Sequence, residues 1–345
     1  MKIEEANEIV ARLYSELLGR PAVTDKAGRW GKIQSLMGGM SEEQLRQKMI
    51  QSKEFMDRHS VPTPENITEN IVIDTSHNQN KMINQVFNPP IKTPTPRTTI
   101  MVVTSNIMGD LFPRCLQYIR KYTHREYQLI VVETHFVEDM YNLVRDMNIG
   151  LRGALDSDYY VSMNDDMFVT EGWLDALIEP TVRDKKIGIV GGLYLFSDKK
   201  TIQHGGIFFN KTNNPSHRFY NQNINSTPEA RKECYVAGVT GALILITKDC
   251  LRDVGLWDNE LFLVYNDPDY CLRAWNKGWK VYYAPKCTTV HLQGQSVNGS
   301  LHKRGMEICG LIFKNKWTGE QISKVVAFVE LENKKYENKP LKPPT

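Results

Sequence analysis

Apolar positions recur at helical spacing through the first sixty residues and in short β-branched runs from Thr98 onward. Ile9, Leu13, Leu17 and Leu18 fall at helical intervals, followed by Ile33 and Leu36 and then by Leu45, Met49 and Ile50. Ser41 ahead of Glu42, Glu43 and Gln44 reads as an N-cap with an acidic first turn. Residues 1–60 are therefore expected to form a small all-α bundle. Residues 61–97 turn rich in Pro, Asn and Thr, opening with PTPEN and closing with NPPIKTPTPR. They read as an extended linker in which ITENIVID forms a short strand or a turn of helix.

After Arg97 strands alternate with helical segments. TTIMVVTS (98–105), YQLIVVET (127–134), DSDYYVSMNDD (156–166) and IGIVGGLYLF (187–196) read as strands, and LFPRCLQYIRKYT (111–123) as an amphipathic helix. The alternation predicts an α/β fold, Rossmann-like, with a mainly parallel sheet and flanking helices over residues 98–320. Ligands of such folds sit at the carboxyl ends of the strands, where Thr104, Glu133 and Asn164-Asp165-Asp166 all fall. Residues 321–345 are expected to form a C-terminal helix and a basic tail.

The 345 residues are 41% apolar, enough for a sizeable core, and the net charge of +3 is too small and too scattered to predict nucleic-acid binding. The densest basic run, KKYENKPLKPP, reads as a solvated tail, with weak attraction to an anionic membrane surface as the rival. Six cysteines without a C-x-x-C pair read as reduced thiols. The start MKIEEANEIV lacks the features of a signal peptide, and the longest apolar run, VAGVTGALILI, is too short for a bilayer. The expectation is a soluble, cytoplasmic protein whose membrane association would be peripheral, at the inner face.

Two groups carry candidate chemistry. Asp165 and Asp166 end a strand, where carboxylates can hold Mn2+ or Mg2+ against phosphate oxygens; an Asx turn is the plain alternative. In LWDNELFLVYNDPDYCLRAWNKGWKVYYAP (256–285), Asp267 and Asp269 precede an amphipathic helix. Asp267 is placed to act as a general base, while helix capping is the plain alternative for Asp269. His291 follows the β-branched run of TTVHLQGQS and reads as satisfied structure or as a ligand. Trp173, Trp275, Trp279 and Trp317 read as core anchors; the loop histidines His204 and His217 either approach the acceptor or, as loop histidines usually are, stand as spectators.

In order and spacing, TTIMVVTSN, CLQYIRKYTHREYQLIVVET, NIGLRGA before DYYVSMNDD, GIVGG, IQHGG, VTGALILI and the 256–285 segment resemble the inverting glycosyltransferases of family 2, which have the GT-A fold. The resemblance spans Thr98 to Trp317. It implies a donor that is a nucleotide-diphosphate sugar, a divalent metal (Mn2+ or Mg2+) and a hydroxyl acceptor on a glycan, glycolipid or protein glycan. Asp166 and His291 would ligate the metal, and Asp165 would contact the donor ribose or the metal shell. Thr104, Glu133, Asn148, Arg152 and the Gly241-Ala242 backbone would contact the donor. Asp267 would be the base, and Trp257, Asp258 and Asp269 would contact the acceptor, with Trp257 stacking on a sugar ring.

Two departures stand out. Asn266 replaces the acid that usually precedes the base, and Glu133 replaces the usual Asp that reads the nucleotide base. Two rival functions stay open: a nucleotidyltransferase, disfavoured because SNIMGDLFPR has one glycine, and a non-catalytic carbohydrate-binding or scaffold protein on the same fold. The N-terminal pattern IVARLYSELLGRPAVTDKAGRW resembles a small helical domain of unknown function found in bacterial surface and secreted proteins. Docking of a protein partner through residues 1–60 is one reading of it, and a passive appendage the other.

Overall fold

The computed structural model describes residues 3–18, 32–33, 35–37, 39–50, 67–74, 97–134, 143–153, 157–292 and 300–338. Gly19-Arg20-Pro21, most of the 61–97 segment and the tail from 339 onward lie outside the described residues. In chain order the elements begin with α1 (Ile3–Leu18), α2 (Glu42–Ile50), β1 (Ile67–Asp74), β2 (Thr98–Thr104), α3 (Leu111–Tyr122), β3 (Tyr127–Glu133) and α4 (Leu143–Gly153). There follow β4 (Tyr159–Asn164), β5 (Met167–Phe168), α5 (Trp173–Arg183), β6 (Ile187–Leu195), β7 (Ile202–His204), β8 (Ile207–Phe209), β9 (Pro215–His217) and β10 (Cys234–Tyr235). The chain closes with β11 (Leu243–Thr247), α6 (Lys248–Val254), α7 (Asn266–Asn276), β12 (Lys280–His291), α8 (Ser300–Lys316) and α9 (Gly319–Asn338).

These elements divide into two compact units, Met1–Thr63 with Asn106–Gln117, and Pro64–Ser105 with Tyr118–Thr345. In the first, α1 buries Ala6, Val10 and Leu13 against Ile33, Leu36, Leu45 and Met49. Of the expected apolar set Leu13 is in this core and Ile9 packs partly buried against it, while Ala6 and Val10 complete the buried face of α1. The side chains of Leu17, Leu18 and Ile50 lie outside the described residues. Ser41 closes a capping box: its Oγ accepts the Gln44 N–H at 3.1 Å, and Gln44 Oε1 accepts the Ser41 N–H at 2.9 Å.

The second unit is a mixed α/β fold of the GT-A kind, built on a ten-stranded sheet ordered β1-β3-β2-β4-β11-β6-β12-β10, with β5 on β12 and β7 on β6. β1, β3, β2 and β4 pair in parallel, as do β6 and β12; β11 runs antiparallel between β4 and β6. ITENIVID is thus a strand at the sheet's edge, the first of its two alternatives. All seven positions of β2 and all nine of β6 are buried. That is why these strands read as continuous apolar runs rather than as alternating ones. Among the tryptophans, Trp173, Trp275 and Trp317 are buried, and Trp279 is half-buried with its Nε1–H on Asp253. Among the described residues no helix is long and apolar enough to cross a membrane.

The β6–β12 ladder breaks register between Gly191↔Tyr283 and Leu193↔Thr288. There the Cys287 carbonyl crowds Gly192, and a Cβ at that position would stand 2.3 Å from the oxygen. Substituting Gly192→Ala must push the two strands apart, and the expected cost is about 1–3 kcal/mol, read as a lower melting temperature in thermal unfolding. An unchanged melting temperature would contradict this close approach.

Candidate functional site

The chain leaves β2 for β3 on one side and returns to β4 on the other, so the topology reverses at the carboxyl end of β2. Three polar residues converge there. Thr104 lies opposite Glu133 in the ladder, and its hydroxyl donates to Asp165 Oδ2 at 2.6 Å. Asp165 donates its own N–H to Val103 O at 3.1 Å, which fixes the acidic turn to the end of β2. Burial pushes the Asp165 carboxyl up to about 6; the Thr104 bond opposes the rise and the charge of Asp166 adds to it.

Asp166 meets His291. The short strand β5 pairs antiparallel with the end of β12, matching Met167 with His291 and Phe168 with Val290. The Leu292 N–H also donates to Asp166 O at 3.1 Å. This pairing carries His291 Nε2 to 3.1 Å from Asp166 Oδ1, with both side chains largely buried. Asp166 Oδ1 receives no hydrogen bond. His291 Nδ1 bonds to Gln203 Oε1, whose amide donates at 3.3 Å to the His291 carbonyl. An amide oxygen only accepts, so Nδ1 carries a proton; in the neutral tautomer that this selects, the Nε2 lone pair faces Asp166.

Two facing acceptors without a shared proton form an unfavourable contact that a cation converts into a favourable one. The pair therefore fits a divalent metal, with Gln203 holding the imidazole as outer partners of metal-bound histidines do. Among the described residues no cluster of three or more His, Cys, Asp or Glu is arranged to hold a metal, so the remaining ligands would be water and donor oxygens.

Beside this pair opens a cavity of about 910 Å³, lined in part by Asn164, Gly241, Ala242, Asp267 and His291. Asp267 stands in the first turn of α7, entered through Tyr265 at φ 64°, a left-handed conformation unusual for a residue with a bulky side chain. The Tyr265 ring stacks on Phe313 at 5.2 Å, and Phe313 on Phe209 at 6.5 Å, which holds the strained entry in place. The Gly241 N–H donates to Asp267 Oδ2 at 3.1 Å. Burial raises the Asp267 carboxyl above the ordinary range, while the Gly241 bond and His217 pull it down.

Several expected contacts lie elsewhere. Asp269 is fully buried and does not line the cavity; Arg273, Lys316 and Trp317 engage its carboxylate at 2.9, 2.7 and 2.9 Å. Trp257 is buried with its ring on Tyr270 at 4.5 Å, so it presents no face to a sugar. Asn148 clamps the Trp257 backbone, accepting its N–H at 3.0 Å and donating to its carbonyl at 2.9 Å. Asp258 bonds Lys316 and the Glu260 N–H, and Arg152 is exposed in the last turn of α4. Asn266 is buried, its amide donating to Leu261 O at 3.4 Å.

Gln203 and Thr240 join the site unexpectedly, and His204 and His217 are placed there rather than as loop spectators. His204 is fully buried and hydrogen-bonded to His217 at 2.7 Å. The signal available in the sequence was the polar pair Gln203-His204 set between Ile202 and Gly205-Gly206, just after the charged run SDKKT.

Residues 71–310, more than half of the chain, match the family model described as glycosyltransferase like family 2. No curated protein matches the chain. Among solved structures the chain is similar to GalNAc-T7 with UDP, GalNAc and Mn2+, at 13% identity and a TM-score of 0.44 over 62% of this chain and 48% of that one. It therefore spans about half the length of that protein. It is also similar to the mannosyltransferase PcManGT from Pyrobaculum calidifontis in complex with GDP-Man and Mn2+, at 11% identity and a TM-score of 0.39 over 68% and 75% of the two chains. A third likeness, to A197 from STIV, has 11% identity and a TM-score of 0.36 over 60% and 99%.

The surroundings of Asp269 make a distinction that experiment can read. Asp269→Ala leaves Arg273 and Lys316 without their buried anion, and the expected loss is about 3–5 kcal/mol of stability in denaturant unfolding. A variant as stable as the wild type would show that this ion cluster does not hold the fold.

Proposed function

The chain belongs to the family-2-like glycosyltransferases, and on that premise we propose that it transfers a sugar from a nucleotide-diphosphate donor to a hydroxyl acceptor with inversion. The observation that carries this reading is the approach of Asp166 Oδ1 to His291 Nε2 beside a cavity that Asp267 also lines. Thr104, Glu133 and Asp165, gathered at the switch point, would hold the nucleoside end of the donor. Asp166 and His291 would hold Mn2+ or Mg2+, which neutralises charge building on the departing diphosphate.

Asp267 takes the acceptor proton. The acceptor oxygen forms its bond to the anomeric carbon as the bond to the diphosphate breaks, and attack from the opposite face inverts that centre. The Gly241 N–H holds carboxylate oxygen Oδ2 at 3.1 Å, and the Thr240 hydroxyl also bonds the carboxylate. Burial serves this role by making the carboxylate a stronger base. The acceptor is a glycan or glycolipid hydroxyl, and assembly of a polysaccharide in the cytoplasm is the setting that fits it.

A scaffold reading has no use for the Gln203–His291 tautomer lock, and so it is the weaker of the two. Removing Asp267 as Asp267→Asn is expected to lower transfer, or metal-dependent donor hydrolysis, by about 10²–10⁴-fold while nucleotide binding persists. Undiminished turnover would sink the assignment of the base. Gln203→Leu, which frees the His291 ring, should weaken Mn2+ binding in calorimetric titration by about 10–100-fold, and equal affinity would count against the metal pair.

A further inference from the structure

Helix α8 divides its residues sharply between two faces. Gly305, Cys309 and Phe313, four positions apart, form a buried stripe along it. A Cβ at Gly305 would stand 3.1 Å from the Leu263 side chain, and Phe313 stacks on the Tyr265 ring at 5.2 Å. This close packing fixes which side the helix turns outward. The outer side carries Lys303, Arg304, Glu307, Ile308, Leu311 and Lys314, all exposed. Leu311, at 64%, is the most exposed large apolar side chain among the described residues. Ile308, one turn before it on the same face, is 39% exposed.

The charge on this face is equally one-sided. Over Ser300–Lys316 the cations Lys303, Arg304, Lys314 and Lys316 stand against the single acid Glu307. Lys316 turns inward to Asp258 and Asp269. The side chains of Lys303, Arg304 and Lys314 have no ion-pair or hydrogen-bond partner among the described residues. Lys303, Leu311 and Lys314 also line the cavity that Asp267 lines, so the patch and the candidate reaction site share one rim. A second copy of the chain would set these cations against their own likeness, which repels. An anionic bilayer matches the whole patch: lipid phosphates meet the cations, and the boundary between headgroups and acyl chains takes Ile308 and Leu311.

We propose that α8 docks the protein on an anionic membrane surface, with Ile308 and Leu311 entering the lipid and Lys303, Arg304 and Lys314 on its phosphates. That orientation turns the rim of the cavity toward the bilayer, which favours the glycolipid among the acceptors of the proposed reaction. This consequence rests on the reading of Asp267 as the base; the docking itself does not. α9 also exposes Phe328 and Leu331, but neither lines the cavity that holds Asp267.

Co-sedimentation of the full chain with vesicles tests the docking without donor or acceptor. The chain is expected to pellet with vesicles of equal parts phosphatidylglycerol and phosphatidylcholine, and to stay in solution with phosphatidylcholine alone. Ile308→Ser with Leu311→Ser should weaken binding about tenfold. Lys303→Gln, Arg304→Gln and Lys314→Gln together should weaken it about fivefold per cation. All of these positions are exposed, so each variant should keep the wild-type melting temperature. Equal binding to both vesicles, binding to neither, or variants that bind like the wild type overturn the proposal. A loss of binding confined to Leu331→Ser also overturns it, by moving the contact to α9. So does a dimer in sedimentation velocity that Leu311→Ser dissociates, which gives the face to a second copy. Vesicle binding is read apart from catalysis: Asp267→Asn should pellet like the wild type, and failure of the chain to pellet leaves the assignment of the base untouched.

Discussion

The pairing of β5 with the end of β12 is the contact on which the site depends. Two residues after the strand that delivers Asn164, the chain turns back and pairs Met167 with His291. The Leu292 N–H closes the same turn on the Asp166 carbonyl. Backbone hydrogen bonds alone therefore set the distance between an acid and an imidazole that are far apart in sequence. Side-chain chemistry is then added to a fixed frame: Gln203, on β7 across β6 from β12, orients the ring. Without this pairing Asp166 and His291 would be unrelated residues on two segments.

A second constraint acts from the other side of the cavity. Asp267 is carried into place by Tyr265 in a left-handed conformation, a strain of order 1 kcal/mol or more that the stacking on Phe313 sustains. The energy stored there has a geometric return: α7 begins abruptly, so that the Gly241 N–H meets the carboxylate in its first turn. Deeper in the same helix Asp269 is fixed by Arg273, Lys316 and Trp317. Two acids separated by one residue thus divide the work, one anchoring the helix and one facing the cavity.

Much of the fold was legible because its strands are buried on both faces and so read as β-branched apolar runs: β2, β3, β4 and β6 end within a residue or two of the expected boundaries. The acidic turn was equally readable, since the carboxyl ends of parallel strands are where such a fold gathers polar residues. Asp269, Trp257 and Asn148 were not readable as structural residues, because an acid beside a base and a tryptophan beside an acidic loop look the same whether they face a cavity or the core. The decision rests on partners distant in sequence: Lys316 and Trp317 for Asp269, Tyr270 for Trp257, and the Trp257 backbone for Asn148. His204 and His217 escaped for the converse reason. A histidine pair separated by thirteen positions carries no periodic signal, and only the turn into the β8–β9 hairpin brings the rings together.

Function at this site turns on what occupies the space between Asp166 Oδ1 and His291 Nε2. An anomalous difference map from a crystal soaked with Mn2+ and a nucleoside diphosphate reads that space directly. The expected result is a manganese peak bonded to both atoms, with diphosphate oxygens completing its shell and the Gln203–His291 bond intact. Manganese bound elsewhere, or nucleotide bound at the switch point with Asp166 and His291 still in direct contact and no metal between them, would contradict it.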